Sequence, residues 1–207
     1  TPLKDRIQSQ IITHYPKSIE VSKQITQQEA RIKTDQRNRV YVSEFLKDLL
    51  EQISFEARQS EFIDQKSGVS ARLSISAYEN LVSAAERRVL TNNEKLATTR
   101  ISDLYGVIPA ITGKVELVYE GEQEGAINVA YNLIGKTIKR FFLQFLPNPE
   151  TIKRRKDKNP YEPIVNWFAN NELQVLFNAT EKVYKQELNK VDGLKALAKK
   201  YAPLASE

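Results

Sequence analysis

Apolar residues recur at helical spacing through long stretches of this 207-residue chain. Between residues 43 and 58 they lie three and four positions apart, and the same spacing returns between residues 126 and 145. Side chains at that spacing share one face of an α-helix, so each stretch predicts a helix that buries one apolar stripe. The two stripes consist of Phe45, Leu46, Leu49, Leu50, Ile53, Ala57, Val129, Ala130, Leu133, Ile134, Ile138, Phe141, Phe142 and Phe145. The chain is therefore predicted to be mainly α-helical.

The remaining segments predict further helices and two short strands. Apolar spacing and turn residues place the further helices within 18–32, 76–90, 98–113, 161–169, 179–188 and 193–201. In the helix near 76–90, the charged residues Glu86 to Arg88 are predicted to face solvent. Residues 11–15 are rich in β-branched side chains and residues 114–119 alternate with a period of two, so each segment predicts one short strand.

The residues that usually bind transition metals or perform nucleophilic catalysis are scarce. The chain has no cysteine, which excludes disulfides and thiolate metal sites, and His14 is its only histidine. His14 would have to be the sole base of any catalytic triad, and it follows an apolar stretch. A packed or surface histidine is the favoured interpretation, and no metal site is predicted.

Charge and hydropathy limit the possible partners. The sequence contains no apolar run long enough for a membrane span and no signal-peptide pattern at its start, which predicts a cytoplasmic protein without membrane contact. The net charge is +5, and the densest basic run, residues 153–158, lies between Pro149 and Pro160. A basic run alone in a proline-flanked loop is typical of a solvated connector, so nucleic-acid binding is not predicted.

The chain lacks the phosphate-binding loop that ATP hydrolysis needs. Such a loop is glycine-rich and ends in lysine followed by serine or threonine. The nearest glycine pair, Gly121 and Gly125, is surrounded by glutamates, and Lys136-Thr137 lies inside the helix predicted after it. This polypeptide alone is therefore not predicted to hydrolyse ATP. It begins at Thr1 and contains no methionine, which suggests a fragment, a processed product or a sequence with modified methionines left out.

Two arginines lie where helices are expected to begin. Arg6 occurs in Lys4-Asp5-Arg6-Ile7, before the predicted strand at 11–15, and Arg72 follows Ser70-Ala71, with Ser70 as the predicted helix cap. A guanidinium is planar, permanently charged and able to bridge the terminal phosphate oxygens of ATP. The structural alternatives are a surface salt bridge for Arg6 and, for Arg72, a contact that caps the end of a neighbouring helix.

Four segments of the chain resemble a known family. They are residues 1–7, His14-Tyr15-Pro16, Asp64-Gln65-Lys66-Ser67-Gly68-Val69-Ser70-Ala71-Arg72-Leu73 and Ala84-Ala85-Glu86-Arg87-Arg88. Together they resemble the carboxy-terminal portion of bacterial AAA+ ATPases related to magnesium chelatase subunit I and the MoxR proteins. The resemblance covers about residues 1 to 119, and the long block that begins at Asp64 is its most specific part.

The resemblance implies a division of the chain into three parts. Residues 1–40 would be the end of an AAA+ α/β core, with the arginine-finger helix and the last core strand. Residues 41–119 would be a helical lid domain with the second nucleotide sensor, and residues 120–207 a carboxy-terminal helical extension. The expected fold is therefore mainly α, with a remnant of the α/β core at the amino terminus.

The resemblance also implies a function for the full-length protein. It would form a homo-oligomeric ring of about six subunits and couple ATP hydrolysis to remodelling of a partner, which often carries a von Willebrand factor A domain. Arg6 would be the arginine finger that acts in trans, and Arg72 the second sensor. ATP and Mg²⁺ would be cofactors of the full-length protein, whereas this chain alone would bind neither and act as a lid and assembly module.

Two other functions stay open. The chain could be a non-enzymatic helical adaptor in which both arginines are structural. It could also belong to a DNA-associated AAA+ transcriptional regulator, which would need a helix-turn-helix. The segment 194–200 is a poor recognition helix, because it lacks the asparagine, glutamine and arginine that bind base edges most specifically.

Overall fold

The protein is described by a computed structural model that covers Arg6, Ser9, residues 11–152 and residues 159–202. In these residues the chain is mainly helical, as predicted. The α-helices are α1 (Ile19–Glu29), α2 (Thr34–Arg39), α3 (Glu44–Ala57), α4 (Arg72–Thr91), α5 (Ile108–Thr112), α6 (Tyr119–Glu124), α7 (Ala126–Phe145), α8 (Pro149–Ile152), α9 (Glu162–Asn170), α10 (Glu181–Asn189) and α11 (Leu194–Tyr201). A 3-10 helix, η1 (Ile101–Val107), precedes α5, and strands β1 (Val40–Tyr41) and β2 (Ala97–Thr98) pair in parallel.

The predicted apolar stripes form the core. Leu46, Leu49, Leu50 and Ile53 of α3 are at most 2% exposed, because α3 lies between α1, α4 and α7. An aromatic cluster fastens α7 to the start of α3: the Phe45 ring centroid lies 5.7 Å from those of Phe141 and Phe145. Close packing of such side chains joins these helices in one hydrophobic core.

The core continues past Tyr119. Val129, Ala130 and Leu133 of α7 belong to the same buried cluster as the α3 and α4 side chains. The first part of the predicted carboxy-terminal extension therefore shares the core of residues 41–119. The three-part division of the chain stays a prediction.

Most predicted helices begin and end within a few residues of the observed ones. The Ser18 hydroxyl accepts the N–H of Val21 in the first turn of α1, and the Ser43 hydroxyl accepts the N–H of Leu46 in the first turn of α3, each at 3.3 Å, which explains where those helices begin. α7 covers the predicted segment 126–145 completely. The exception is α4, which begins at Arg72, one turn earlier than the periodicity predicted.

Both predicted strands are wrong. Residues 11–15 form no strand, and Ile11 and Ile12 are 86% exposed. In the described ranges, no strand lies beside this β-branched run to pair with it. In the segment 114–119, Leu117 makes a single antiparallel bridge to Ile63, and Tyr119 already begins α6. The observed strands β1 and β2 are two residues each, too short to show a period in the sequence.

One charged residue predicted to face solvent is buried. Arg88 is only 5% exposed: its Nη1 is ion-paired with Asp103 of η1, and its Nη2 donates to the carbonyl of Thr98 at 2.8 Å. Glu86 is half-buried and accepts from Gln36 of α2 at 2.8 Å, whereas Arg87 faces solvent as predicted. Arg88 thus joins the end of α4 to η1, the pair of elements with the most extensive contact in the described residues.

None of the helices in the described part of the chain combines the length and apolar character needed to cross a membrane.

Candidate functional site: the start of α4

Arg72 is the first residue of α4 and is exposed to solvent. Within the described residues, its guanidinium has no hydrogen bond or ion pair, so the predicted alternative of a helix-capping contact is not seen there. The predicted cap is also wrong: Ala71 occupies the cap position, and no side chain caps the helix. Ser70 contributes its backbone carbonyl, which accepts the N–H of Leu73 at 3.1 Å.

The connector before α4 is a tight turn ordered by its own polar groups. Asp64 accepts the N–H of Lys66 and the hydroxyl of Ser67, both at 2.9 Å, and its carbonyl accepts the N–H of Gly68 at 3.2 Å. The hydrogen bonds to the carboxylate, first the one from the N–H of Lys66 and then the one from the Ser67 hydroxyl, hold the pKa of Asp64 below its ordinary value. Gly68 has a φ of +70°, a conformation that favours glycine.

Tyr15 and Arg58 clamp this connector to the helical core. The Tyr15 hydroxyl accepts the N–H of Val69 at 3.0 Å, and Nε of Arg58 donates to the carbonyl of the same residue at 3.0 Å. The Arg58 guanidinium also lies over the Tyr15 ring, 4.6 Å from its centroid. Burial lowers the pKa of Arg58. Because α3 carries Arg58 as its final cap, the clamp fixes the start of α4 relative to α3.

The clamp joins two of the segments that carry the family resemblance. Tyr15 belongs to His14-Tyr15-Pro16, and Val69 belongs to the block that begins at Asp64. Val69 and Tyr15 are 54 positions apart in the sequence, yet they share a direct hydrogen bond. Sequence reasoning missed the role of Arg58, since a lone arginine at a helix end carries no distinctive pattern.

Arg6 is exposed, but its immediate surroundings lie outside the described residues. The predicted arginine-finger segment is Lys4-Asp5-Arg6-Ile7, and apart from Arg6 it lies outside the described residues. The basic run at 153–158 likewise lies outside the described part of the chain. In the part that is described, Arg6 and Arg72 are not brought into contact.

The glycines nearest to a phosphate-loop pattern do not form a phosphate cradle. Gly121 lies within α6, where an added Cβ would come within 2.3 Å of the Phe62 carbonyl oxygen, so its backbone packs against protein. Glu120, Glu122 and Glu124 surround it with negative charge. These residues do not fit ATP and Mg²⁺, and the described ranges hold no cluster of three or more acidic or histidine side chains placed to bind a metal.

The structure also contains a cavity that was not predicted from the sequence. A cavity of about 440 Å³ lies between the start of α3, the β1–β2 pair and the carboxy-terminal helices α10 and α11. Arg100, which is 5% exposed, lines its wall and donates to Glu181 at 3.2 Å. The walls come from elements that are far apart in the sequence, and no local motif marks them.

Comparisons with known proteins add no relative. A scan against protein-family models finds no match for the chain, and searches of curated proteins and of solved structures find none either. The resemblance to AAA+ ATPases therefore depends on the four sequence segments alone.

Proposed function

We propose that this chain is the lid and carboxy-terminal extension of a ring-forming AAA+ ATPase related to magnesium chelatase subunit I and MoxR. In that protein it would couple ATP turnover to remodelling of a partner. The observation that carries the proposal is the placement of Arg72: an exposed arginine at the first residue of a long helix, on a connector clamped by Tyr15 and Arg58.

The start of α4 has the electrostatics of an anion contact. The N-terminal end of a helix carries a partial positive charge, which an acidic residue in the first turn or a side-chain cap usually offsets. α4 has neither. Arg72 adds a full positive charge at the same end, so this end of the helix attracts a phosphate group.

The packing of α4 explains how such a contact would be transmitted. α4 contacts α1, α2, α3, α5 and η1, and it is therefore the central helix of the described body. Leu73, directly after Arg72, is fully buried. Because the core is closely packed, a displacement of the first turn of α4 would also displace the core side chains that contact Leu73. A nucleotide held at Arg72 would reorient the whole helical body, which is what a lid requires.

The other parts of the proposal follow from the resemblance. Arg6 would reach the terminal phosphate of ATP bound to a neighbouring subunit in a ring of about six. ATP and Mg²⁺ would be held by the AAA+ core of the full-length protein. The remodelled partner would be a protein, with a von Willebrand factor A domain as the leading candidate, and the assembly would act in the cytoplasm.

The helical adaptor is the second candidate, and α9 favours it. No residue of α9 is buried, and Val165 and Phe168 on this helix are 59% and 48% exposed. Large apolar side chains on an exposed helix are typical of protein contact surfaces. An adaptor would use α9 to bind a partner and would show no nucleotide-dependent step.

Nucleotide affinity separates the two candidates. In the complete protein that contains this chain, Arg72→Ala should weaken binding of a fluorescent ATP analogue by roughly 10 to 100-fold, the value of one charge-assisted contact. Arg87→Ala is the matched control, because Arg87 is an exposed arginine on the same helix. Equal affinities for the two variants, with folding intact, would remove the sensor role and favour the adaptor.

A further inference from the structure

The cavity beside α10 and α11 has two apolar walls. Tyr41, Phe45 and Leu46 line it from the core side, and Leu188, Leu194 and Ala198 line it from the carboxy-terminal helices. Its volume of about 440 Å³ is within the range of about 300–1,000 Å³ that small-molecule sites occupy. Most ligand sites combine such apolar walls with a few polar groups that fix orientation.

The charged groups of the cavity are mostly cations. Arg100, Lys185 and Lys195 line it together with one carboxylate, Glu181. Glu181 forms ion pairs with two of these cations. Its Oε2 lies 3.2 Å from Nη2 of Arg100, and its Oε1 lies 3.5 Å from Nζ of Lys185. Among the described residues, Lys195 has no carboxylate within ion-pair distance. The lining thus has an excess of two positive charges.

Arg100 places one of these charges inside the protein wall. Its guanidinium lies 3.9 Å from the centroid of the Tyr184 ring, and its Nε and Nη1 have no acceptor among the described residues. Burial raises the pKa of the Tyr184 hydroxyl, so the ring stays neutral and does not offset the charge. Glu181 offsets part of the Arg100 charge, but the two nitrogens without acceptors remain unsatisfied donors, which favours an anion close to them.

We propose that this cavity binds a small amphipathic anion, a molecule that carries a carboxylate, sulfonate or phosphate group on an apolar body. The apolar body lies between Phe45 and Leu46 on one side and Leu188 and Ala198 on the other. The anionic group faces Lys185 and Lys195 at the open side, and the two nitrogens of Arg100, which solvent does not reach, attract it from the wall. This site is separate from the start of α4 and does not depend on the proposed AAA+ function.

A matched pair of probes tests the proposal on the chain itself. The anionic probe is 1-anilinonaphthalene-8-sulfonate, and the neutral probe is N-phenyl-1-naphthylamine, which has the same rings without the sulfonate. We expect the anionic probe to bind saturably with one site per chain. The double variant Lys185→Gln/Lys195→Gln should weaken its affinity by at least about tenfold and change that of the neutral probe by less than about twofold.

Two variants localise the binding. Ala198→Trp fills the cavity and should abolish binding of both probes, whereas Lys199→Gln, an exposed lysine on α11 that does not line the cavity, should change neither affinity. Circular dichroism checks the folding of each variant. If Ala198→Trp does not fold, the lysine variants still decide the result, because both lysine side chains lie at the surface.

Competition then distinguishes the chemical sources. Displacement of the anionic probe by 1-naphthoate but not by 1-naphthyl phosphate would assign a carboxylate ligand, and the reverse a phosphate. The proposal is overturned if the anionic probe shows no saturable binding, if a folded Ala198→Trp variant binds it unchanged, or if the lysine changes weaken the two probes equally.

Discussion

Gly68 illustrates how a single residue can depend on a side chain from a distant segment. Its φ of +70° is costly for any other residue, and an added Cβ would lie 2.2 Å from the Tyr15 hydroxyl oxygen. Gly68→Ala should therefore lower the free energy of unfolding by about 1–2 kcal/mol because of the strained backbone conformation. The close contact of the new Cβ with the Tyr15 hydroxyl should lower it further. Denaturant unfolding measures the loss.

A double-mutant cycle separates the two causes. In the Tyr15→Phe background the hydroxyl is absent, so Gly68→Ala should cost less there than in the natural sequence. The same cost in both backgrounds would show that the clamp does not hold the connector.

Glu56 is a second residue whose environment dictates a measurable property. It is 2% exposed. Its carboxylate accepts hydrogen bonds from the Arg140 guanidinium at 2.6 Å and the Gln52 amide at 2.9 Å, and it lies 3.2 Å from Nζ of Lys136. Burial alone would raise the pKa of Glu56, but the hydrogen bonds from Arg140, Gln52 and Lys136 outweigh burial and hold the pKa below its ordinary value of 4.5.

The lowered pKa makes stability depend on pH. A carboxyl group with a depressed folded pKa stabilises the protein above its unfolded pKa, and this stabilisation is lost as the pH falls through the folded value. The natural protein should therefore lose stability below pH 4.5 more steeply than Glu56→Gln does. Unfolding midpoints across that window measure the difference, and parallel pH profiles for the two proteins would contradict it.

The partners of Glu56 can be tested at neutral pH. Arg140→Gln should cost about 1–3 kcal/mol, because a buried carboxylate loses a charged donor. Lys139→Gln, at an exposed position next to it on α7, should stay within about 0.5 kcal/mol of the natural protein. If both variants cost the same, the contact between α7 and α3 does not depend on this ion pair.

At the scale of elements, the junction of α4 with η1 depends on a buried charge pair. Arg88→Met removes the partner of Asp103, which is 4% exposed, and should cost about 3–5 kcal/mol. Adding Asp103→Asn removes the unpaired buried charge of Asp103. The asparagine keeps a side-chain oxygen that can accept the backbone N–H of Arg100, as Asp103 does at 2.7 Å. The double variant should therefore be more stable than Arg88→Met alone, and a less stable double variant would contradict this account.

The carboxy-terminal helices should open more easily than the core. Neither α9 nor α10 has a buried residue, whereas α3, α4 and α7 each bury several. Local opening requires less free energy where few apolar contacts are lost. Amide hydrogen exchange should be at least about tenfold faster in α9 and α10 than in α3 and α4. Equal protection would show that these helices unfold only with the whole protein.

The elements also show what could be predicted from the sequence. α3 and α7 were predicted closely because their apolar stripes are long and unbroken. Arg88 was misplaced because the charge pattern of Glu86 to Arg88 does not reveal that a distant aspartate lies opposite one of the arginines. The predicted strand at 11–15 was wrong because a β-branched run becomes a strand only when another strand pairs with it.

At the scale of the whole molecule, the helical fold class could be predicted from the sequence. The tertiary contacts between segments far apart in the chain could not. Arg72 was singled out from the sequence as lying near the start of a helix, and it is the first residue of α4. Its role as a nucleotide sensor stays a prediction. Its support by Tyr15 and Arg58 and the cavity around Arg100 depend on contacts between residues far apart in the chain. A single sequence carries no local signal of such contacts.

The most direct test of the central claim is the rate of ATP hydrolysis by the complete protein that contains this chain. Arg6→Ala should lower kcat by roughly 10³ to 10⁵-fold while nucleotide affinity is kept, because an arginine finger acts mainly on the transition state. Arg87→Ala should leave the rate unchanged, and light scattering should confirm ring assembly for both variants. Unchanged turnover in Arg6→Ala and in Arg72→Ala would contradict the claim and make both arginines structural.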